Sequence, residues 1–401
     1  VSNALKSHLQ SRLKAAQAAN LIRKRRVIEG RHGVQIKVDG QSCINFCSND
    51  YLGLAALPEM AEAFATAATA LGSGSGASQL ITGYNREHAA LEEELADYLG
   101  RERALLFSTG YAANMGVISA LMNRGDSIIS DELNHASLID GARLSGANKQ
   151  VYKHANMQAA AAQLTASRGE NNLLPNKLLL SDAVFSMGGD LAPLPELAEL
   201  AAEHNAWLML DDAHGFGVLG PEGQGSVAAA GLSAQQVPIL VATLGKSLGA
   251  AGAFVAGDRD LIEYLIQAAR PFVFSTAPPP AIAAAARHGL RIVRDQQWRR
   301  DHLFSLITRL QQGAKRLGLA LGPSTTPIQP LILGDDARAL AVSEALLERG
   351  FLVSAIRPPT VPVGTARLRI TLSAAHDEQQ VDALLDALAD ILAPTVQTSV
   401  A

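Results

Sequence analysis

The sequence predicts an α/β protein with a mostly parallel sheet and a smaller C-terminal α+β unit. Three observations predict it. Short, nearly uninterrupted apolar runs alternate with amphipathic helical stretches through the middle of the chain. Those runs end in small, polar or charged residues, as strands do when their tips line a ligand crevice. After Pro278-Pro279-Pro280 the alternation gives way to a long helical stretch and then to spaced strands.

In chain order, residues 4–26 are predicted as a helix, followed by short strands at 34–38 and 43–47. The central apolar runs are residues 104–107, 127–130, 178–181, 207–210, 239–242 and 253–256. They are continuous rather than alternating, which fits strands buried on both faces by crossover helices. Beyond the prolines come predicted strands at 328–333, 352–356 and 366–371, and a closing helix at 377–392. The domains predicted are an N-terminal segment at 1–49, a large α/β domain at 50–285 and a C-terminal α+β domain at 286–401.

Composition supports a sizeable buried core, since 48% of the 401 residues are hydrophobic and only 18% charged. Lys and Arg number 34 against 38 Asp and Glu, a formal charge of −4, which excludes a whole-chain basic field for nucleic acid. One local basic run, Arg23, Lys24, Arg25 and Arg26, fits either a phosphate-rich ligand or a solvated helix end. Cys43 and Cys47 are too few for a disulfide framework or a zinc site and read as core thiols in a reducing compartment. The first thirty residues hold no apolar core of a secretion signal and no later run reaches membrane-spanning length, so a soluble, cytoplasmic chain is expected.

The residues following the predicted strands carry the chemistry. Ser108-Thr109-Gly110-Tyr111 opens an apolar helix, leaving backbone N–H groups where a phosphate can sit, although a plain helix cap looks the same. The run ending at Leu210 leads into Asp211-Asp212-Ala213-His214-Gly215. A carboxylate carried out of a buried strand is costly unless it meets a cation, so a salt bridge, a helix cap or a charged ligand would each satisfy Asp211. Asp211 with His214 lacks a third ligand at a diagnostic spacing, so no metal is expected. Thr243-Leu244-Gly245-Lys246-Ser247 places a lysine after a buried strand in a segment free of other charge, and partial desolvation suits its amine to Schiff-base chemistry. A P-loop would need Gly at 240, where Leu stands. A phosphate cradle, an Asp for a pyridinium proton and a buried Lys together are the parts of a pyridoxal phosphate (PLP) site. Ser186 and His135, after two further strands, are placed to bond a ring substituent and to lie on a planar ring, though either serves equally as an ordinary turn residue.

These segments closely resemble the α-oxoamine synthases of the PLP fold-type I superfamily. The likeness spans nearly the whole chain and rests on Ser48 to Leu54, His88 with Leu91-Glu92, Asp131 through Ser137, Ser186 to Asp190, Asp211 to Gly215, and Thr243 to Lys246. Ile356 to Pro362, followed by Gly364 to Arg369, points within that family to the branch serving biotin synthesis. The resemblance implies a fold-type I large domain with a seven-stranded, mostly parallel sheet and a homodimer with the active site at the subunit interface. It implies that Lys246 carries PLP as a Schiff base, Asp211 pairs with the pyridine nitrogen, His214 and Ser186 bond the ring oxygen, and His135 stacks on the ring. Gly110, Tyr111 and Thr243 would also hold the cofactor, with Ser275 or Thr276 reaching the phosphate of the neighbouring subunit. Asn49 and Arg357 match positions that bind the amino-acid carboxylate; Arg23 and Thr360 match other substrate contacts, as His135 does.

The implied reaction is decarboxylative condensation of L-alanine with a pimeloyl thioester, on coenzyme A or an acyl carrier protein, with Lys246 as general base and His135 assisting proton transfer. Rival readings are a glycine- or serine-using relative, and a non-catalytic scaffold paralogue, which would lack the lysine. A nucleotide-binding module on Gly72 to Gly76 has no preceding strand and no acidic residue at the required spacing. One departure stands out: Ala77 occupies a position commonly Gly and Gln79 one where several relatives carry Arg, so Ala77 must adopt a negative φ.

Overall fold

The structure, a computed structural model, describes residues 3–18, 21–23, 25–167 and 175–393. The first helix, Asn3–Ala18, buries none of its residues and is shorter than the sequence suggested. Arg23, Arg25 and Arg26 lie outside it, exposed and without regular secondary structure, and Lys24 falls outside the described residues. Consecutive like charges repel at helical spacing, which disfavours carrying the helix through the run.

Three short strands follow, β1 (Ile28–Glu29), β2 (Gln35–Val38) and β3 (Gln41–Asn45). Strand β3 ends before Cys47, so the two thiols do not share one strand; both are free, Cys43 buried and Cys47 half-buried. The central sheet comprises β4 (Arg103–Phe107), β5 (Ser127–Asp131), β6 (Asn148–Tyr152), β7 (Lys177–Asp182), β8 (Trp207–Asp211), β9 (Ile239–Thr243) and β10 (Ala253–Gly257). Its order is β4-β10-β9-β8-β7-β5-β6, seven strands as the family resemblance implied. All neighbours pair in parallel except β10, antiparallel to both β4 and β9. A parallel return needs a crossover of a dozen residues or more, whereas β9 and β10 are joined by a short loop.

The sheet is buried on both faces. Leu105, Ile128, Leu178, Leu180, Met209 and Val241 pack with Ala113, Val117 and Ile118 of helix Gly110–Leu121. On the other face Ile129, Leu179, Leu208, Leu210 and Leu240 pack with Leu194 and Leu197 of helix Leu194–Glu203. Each fully buried Leu or Ile contributes about 1.5–3 kcal/mol, so these strands hold their register firmly.

Two helices, Pro280–Asp295 and Trp298–Arg316, lead into β11 (Ile328–Gly334), β12 (Phe351–Leu352), β13 (Ser354–Ile356) and β14 (Ala366–Thr371). The segment predicted as one strand at 352–356 is thus two strands in two sheets. Strand β12 joins β1-β2-β3 through a parallel pairing with β3, while β13 pairs with β14 in a three-stranded sheet with β11. The last helix, Glu378–Leu392, starts from a capping box formed by Asp377 and Gln380. Among the described residues no helix is long and apolar enough to cross a membrane.

Candidate active site

The parallel strands β4, β5, β7, β8 and β9 all deliver their carboxyl ends to one edge of the sheet, the position where open parallel sheets bind ligands. Register places Asp182, at the end of β7, opposite Asp211, at the end of β8. Both are buried. Asp211 Oδ2 accepts from Asn114 Nδ2 at 2.6 Å, and Oδ1 accepts from the backbone N–H of Ala213 at 2.9 Å. Asn114 comes from the first turns of helix Gly110–Leu121, whose start Thr109 caps by accepting from the Ala112 N–H. The same amide donates to Ser137 Oγ at 2.9 Å, and that hydroxyl lies 2.8 Å from His135 Nδ1. Asn114 and Ser137 therefore tie His135 to Asp211.

His135 caps helix Ala136–Ser145, and its backbone N–H donates to Asp182 Oδ2 at 2.7 Å. Asp182 is held well above the usual carboxylate range, first by burial and then by the charge of Asp211. Tyr111 meets the His135 ring edge-on at 6.4 Å between centroids, and its hydroxyl donates to Asp140.

The second half of the site centres on Lys246, whose Nζ lies 2.9 Å from His214 Nε2. Burial pushes this amine down to about 8, with Asp211 the largest charge opposing the shift. His214 is pushed well below its ordinary range, by burial and then by the Lys246 charge, so its imidazole is neutral. The Tyr51 hydroxyl donates to Asn49 Oδ1 at 3.1 Å, so its oxygen accepts from His214 Nδ1–H at 2.6 Å. That tautomer, assigned from the hydrogen-bond pattern, leaves Nε2 to accept from Lys246. Arg369 closes the chain, its Nη2 donating to Asn49 Oδ1 at 3.2 Å and its Nε to the Ser186 carbonyl at 2.6 Å. Burial raises Tyr51 to about 12, which keeps its proton on this relay.

The lysine loop is seated by Gly249, which has φ +64°; a Cβ there would lie 2.5 Å from the Ala55 nitrogen. Thr243 Oγ1 donates to the Gly252 carbonyl at 2.9 Å and accepts from the Gly245 N–H at 3.2 Å. The charges of Asp211 and Lys246 both act on His135, so the acid and the amine address one site.

The other residues singled out in the sequence fall around this centre or away from it. Ser275 and Thr276 follow the short helix Arg270–Val273, and Thr276 bridges to Ser78 beside the glycine-rich turn. Ala77 is not among the positive-φ residues, and its carbonyl accepts from the Ala277 N–H at 3.0 Å, so alanine is accommodated. Gln79 Nε2 donates to the Leu106 carbonyl at 3.2 Å. Arg357 lies half-buried after β13, Thr360 is exposed with its N–H on the Arg357 carbonyl, and Arg23 is exposed ahead of β1. Tyr51, Asn114, Asp182 and Arg369 carried no assigned role in the sequence reading. Their part is visible only once distant segments meet, although Asn114 and Asp182 do follow strand ends.

The donor set suits PLP. It includes a buried carboxylate, of the kind that would suit a ring N–H, and a desolvated amine, of the kind that would suit an aldehyde. The first turn at Gly110 is open, with nothing within 4 Å of an added Cβ and no acidic residue to repel a phosphate.

Comparison with known proteins agrees. The profile of the family described as aminotransferase class I and II matches residues 41–388. The chain is 56% identical over 380 residues to 8-amino-7-oxononanoate synthase of Methylococcus capsulatus, covering 95% of this chain and 97% of that protein. It is 53% identical over 396 residues to the protein of the same name from Cellvibrio japonicus, covering 97% and 98%. Among solved structures, a variant serine palmitoyltransferase from S. paucimobilis with a PLP–myriocin adduct superposes with a TM-score of 0.90 at 30% identity, covering 98% of each chain. The 8-amino-7-oxononanoate synthase of Francisella tularensis superposes with a TM-score of 0.76 at 30% identity, covering 87% of this chain and 97% of that one.

Proposed function

The chain belongs to the class I and II aminotransferase family of PLP enzymes, and within it to the 8-amino-7-oxononanoate synthases; from that premise we propose that it condenses L-alanine with a pimeloyl thioester in biotin synthesis. The products are 8-amino-7-oxononanoate, carbon dioxide and the free thiol. The observation that carries the reading is the Lys246 amine, 2.9 Å from a neutral His214, in the same buried electrostatic site as Asp211.

Bound PLP supplies an electron sink that makes the amino acid's Cα–H acidic. Asp211, fixed by Asn114 and the Ala213 N–H, holds a proton on the ring nitrogen by favouring the charged form. Lys246, with an amine near 8 and a neutral acceptor beside it, takes the Cα proton and later returns one. His135, linked to Asp211 through Ser137 and Asn114, would lie over the ring and assist proton transfer at the acyl end. Ser186 and His214 would hold the ring oxygen, while Gly110, Tyr111 and Thr243 would hold the phosphate. Asn49 and Arg357 receive the amino-acid carboxylate, and Arg23 and Thr360 face the acyl donor.

The active assembly we infer is a homodimer in which Ser275 or Thr276 completes the partner subunit's phosphate site. Support comes from Leu80, Ile81 and Phe274, large apolar side chains exposed beside the Ser78–Thr276 bridge. The presence of Lys246 weighs against a scaffold role.

Incubating the purified protein and PLP with alanine and pimeloyl-CoA tests the proposal. The expected outcome is a product with the mass of 8-amino-7-oxononanoate and one free thiol per turnover. Product formed from glycine or serine with another acyl-CoA, and none from alanine, would move the chain to a different branch.

A further inference from the structure

His154 lies in the turn after β6, a half-buried imidazole between two carboxylates, one at the end of β5 and one in the turn that follows β7. Its Nδ1 lies 3.1 Å from Asp131 Oδ1, and its Nε2 lies 2.8 Å from Asp190 Oδ2. Asp131 is buried at the end of β5, where it also accepts from the Leu133 N–H at 2.8 Å and the Ala155 N–H at 2.9 Å. It thereby fixes the turn that leads to His135. Asp190 ends the turn that carries Ser186, which is closed by the Phe185 N–H on the Asp190 carbonyl at 2.9 Å. That turn is anchored on its other side by Arg369 at the Ser186 carbonyl and by Ser324 and Thr326 at the Gly189 carbonyl. The edge of Phe185 packs against the imidazole at 4.4 Å between centroids.

We propose that His154 is a positioning residue: its imidazolium, bridging Asp131 and Asp190, holds the Ser186 turn at a fixed distance from the His135 turn. The inference rests on the reading above, in which these two turns border the cofactor.

Both ring nitrogens face carboxylate oxygens, an arrangement that only the doubly protonated ring satisfies fully. The charged groups around it are Asp131 and Glu132 from the end of β5, Lys153 beside it, Asp190 and, beyond Asp190, Arg367. Tyr152, buried next to Asp131, keeps its proton. Glu132 binds Lys153 at 2.8 Å and accepts from the His154 backbone N–H at 3.1 Å, which pins the backbone of the turn. The two carboxylates raise the His154 ring to about 10, so the bridge is intact throughout the neutral range. The sign follows from linkage: a histidine with a raised folded pKa stabilises fully below its ordinary value and loses that contribution as pH rises through about 10.

The test compares the PLP-loaded wild-type chain with His154→Gln, Asp190→Asn and the double variant. Visible circular dichroism of bound PLP, thermal unfolding and the separate kcat and KM for the amino acid are the readouts. The expected result is an altered PLP dichroism and a kcat lower by about ten- to a hundredfold in each single variant. The double variant should be no worse than the weaker single one, because one bridge is lost in every case. Wild-type dichroism should stay constant through neutral pH and move toward that of His154→Gln as pH approaches about 10. Wild-type dichroism and kcat in His154→Gln, whatever its melting temperature, would overturn the inference, as would additive losses in the double variant. If His154→Gln fails to fold, Asp190→Asn, whose carboxylate is partly exposed, decides by the same readouts. Failure of PLP to attach at Lys246 would instead count against the reading of the site itself.

Discussion

The two halves of the site are built differently. The Asp211 half is assembled at the carboxyl ends of the central sheet: Asp182 ends β7, His135 follows β5, and Asn114 and Ser137 come from the first turns of the helices that follow β4 and β5. The Lys246 half takes Asn49 and Tyr51 from beyond β3 and Arg369 from β14, so two further sheets must dock before His214 has its partners. The first half holds a carboxylate in place for a cation, and the second keeps an imidazole neutral and makes an amine easier to deprotonate than an exposed lysine. Rigidity of the sheet suffices for the one; the other depends on how the terminal sheets pack on it.

Replacing Asp211 by Asn tests the first half most severely. The variant should fold and still bind PLP, with kcat lower by about 10²- to 10³-fold, the scale of removing a preorganised charge partner. A kcat within a few fold of wild type would place the ring nitrogen elsewhere. Tyr51→Phe tests the second half. It strips His214 Nδ1–H and Asn49 of a buried partner, at a cost of about 1–3 kcal/mol in chemical denaturation, and is expected to slow turnover as well as destabilise. Loss of stability with unchanged turnover would separate the relay from catalysis.

A smaller effect comes from pH. In the PLP-free chain the Lys246 amine is held at about 8, below its ordinary value, so the unfolded chain binds more protons above that point. Its contribution to stability should therefore rise with pH from about 8 toward the ordinary lysine value, and its labelling by a small aldehyde should increase through about 8. Labelling that begins only near the ordinary value would mean a solvated amine. The smallest effect belongs to Ala77→Gly: with φ already negative at Ala77, glycine should destabilise by no more than about 1 kcal/mol and leave kcat unchanged.

This division also explains what could be read in the sequence. The strands from β4 to β10 other than β6 were legible because they are apolar along their length. Strand β6, Asn-Lys-Gln-Val-Tyr at the sheet edge, is half exposed and carries no such signal. Lys246, Asp211, His214 and His135 were legible because they directly follow strands. Tyr51 and Arg369 were not, since their roles arise from contacts spanning 163 and 320 positions of the chain. The segment at 352–356 reads as one apolar strand, but the chain breaks at the buried Val353 and its two pieces join different sheets, a split that local sequence does not signal. The first helix was overextended because apolar periodicity says nothing about repulsion among Arg23 to Arg26.

The most direct measurement is reduction of the PLP-loaded protein with borohydride, followed by mass mapping of its peptides. The mass of reduced cofactor should appear on the peptide containing Lys246 alone, and Lys246→Ala should lose both that label and turnover. A label on another lysine, or an unmodified Lys246 peptide after saturation with PLP, would contradict the proposal that this amine and Asp211 grip opposite ends of one ring.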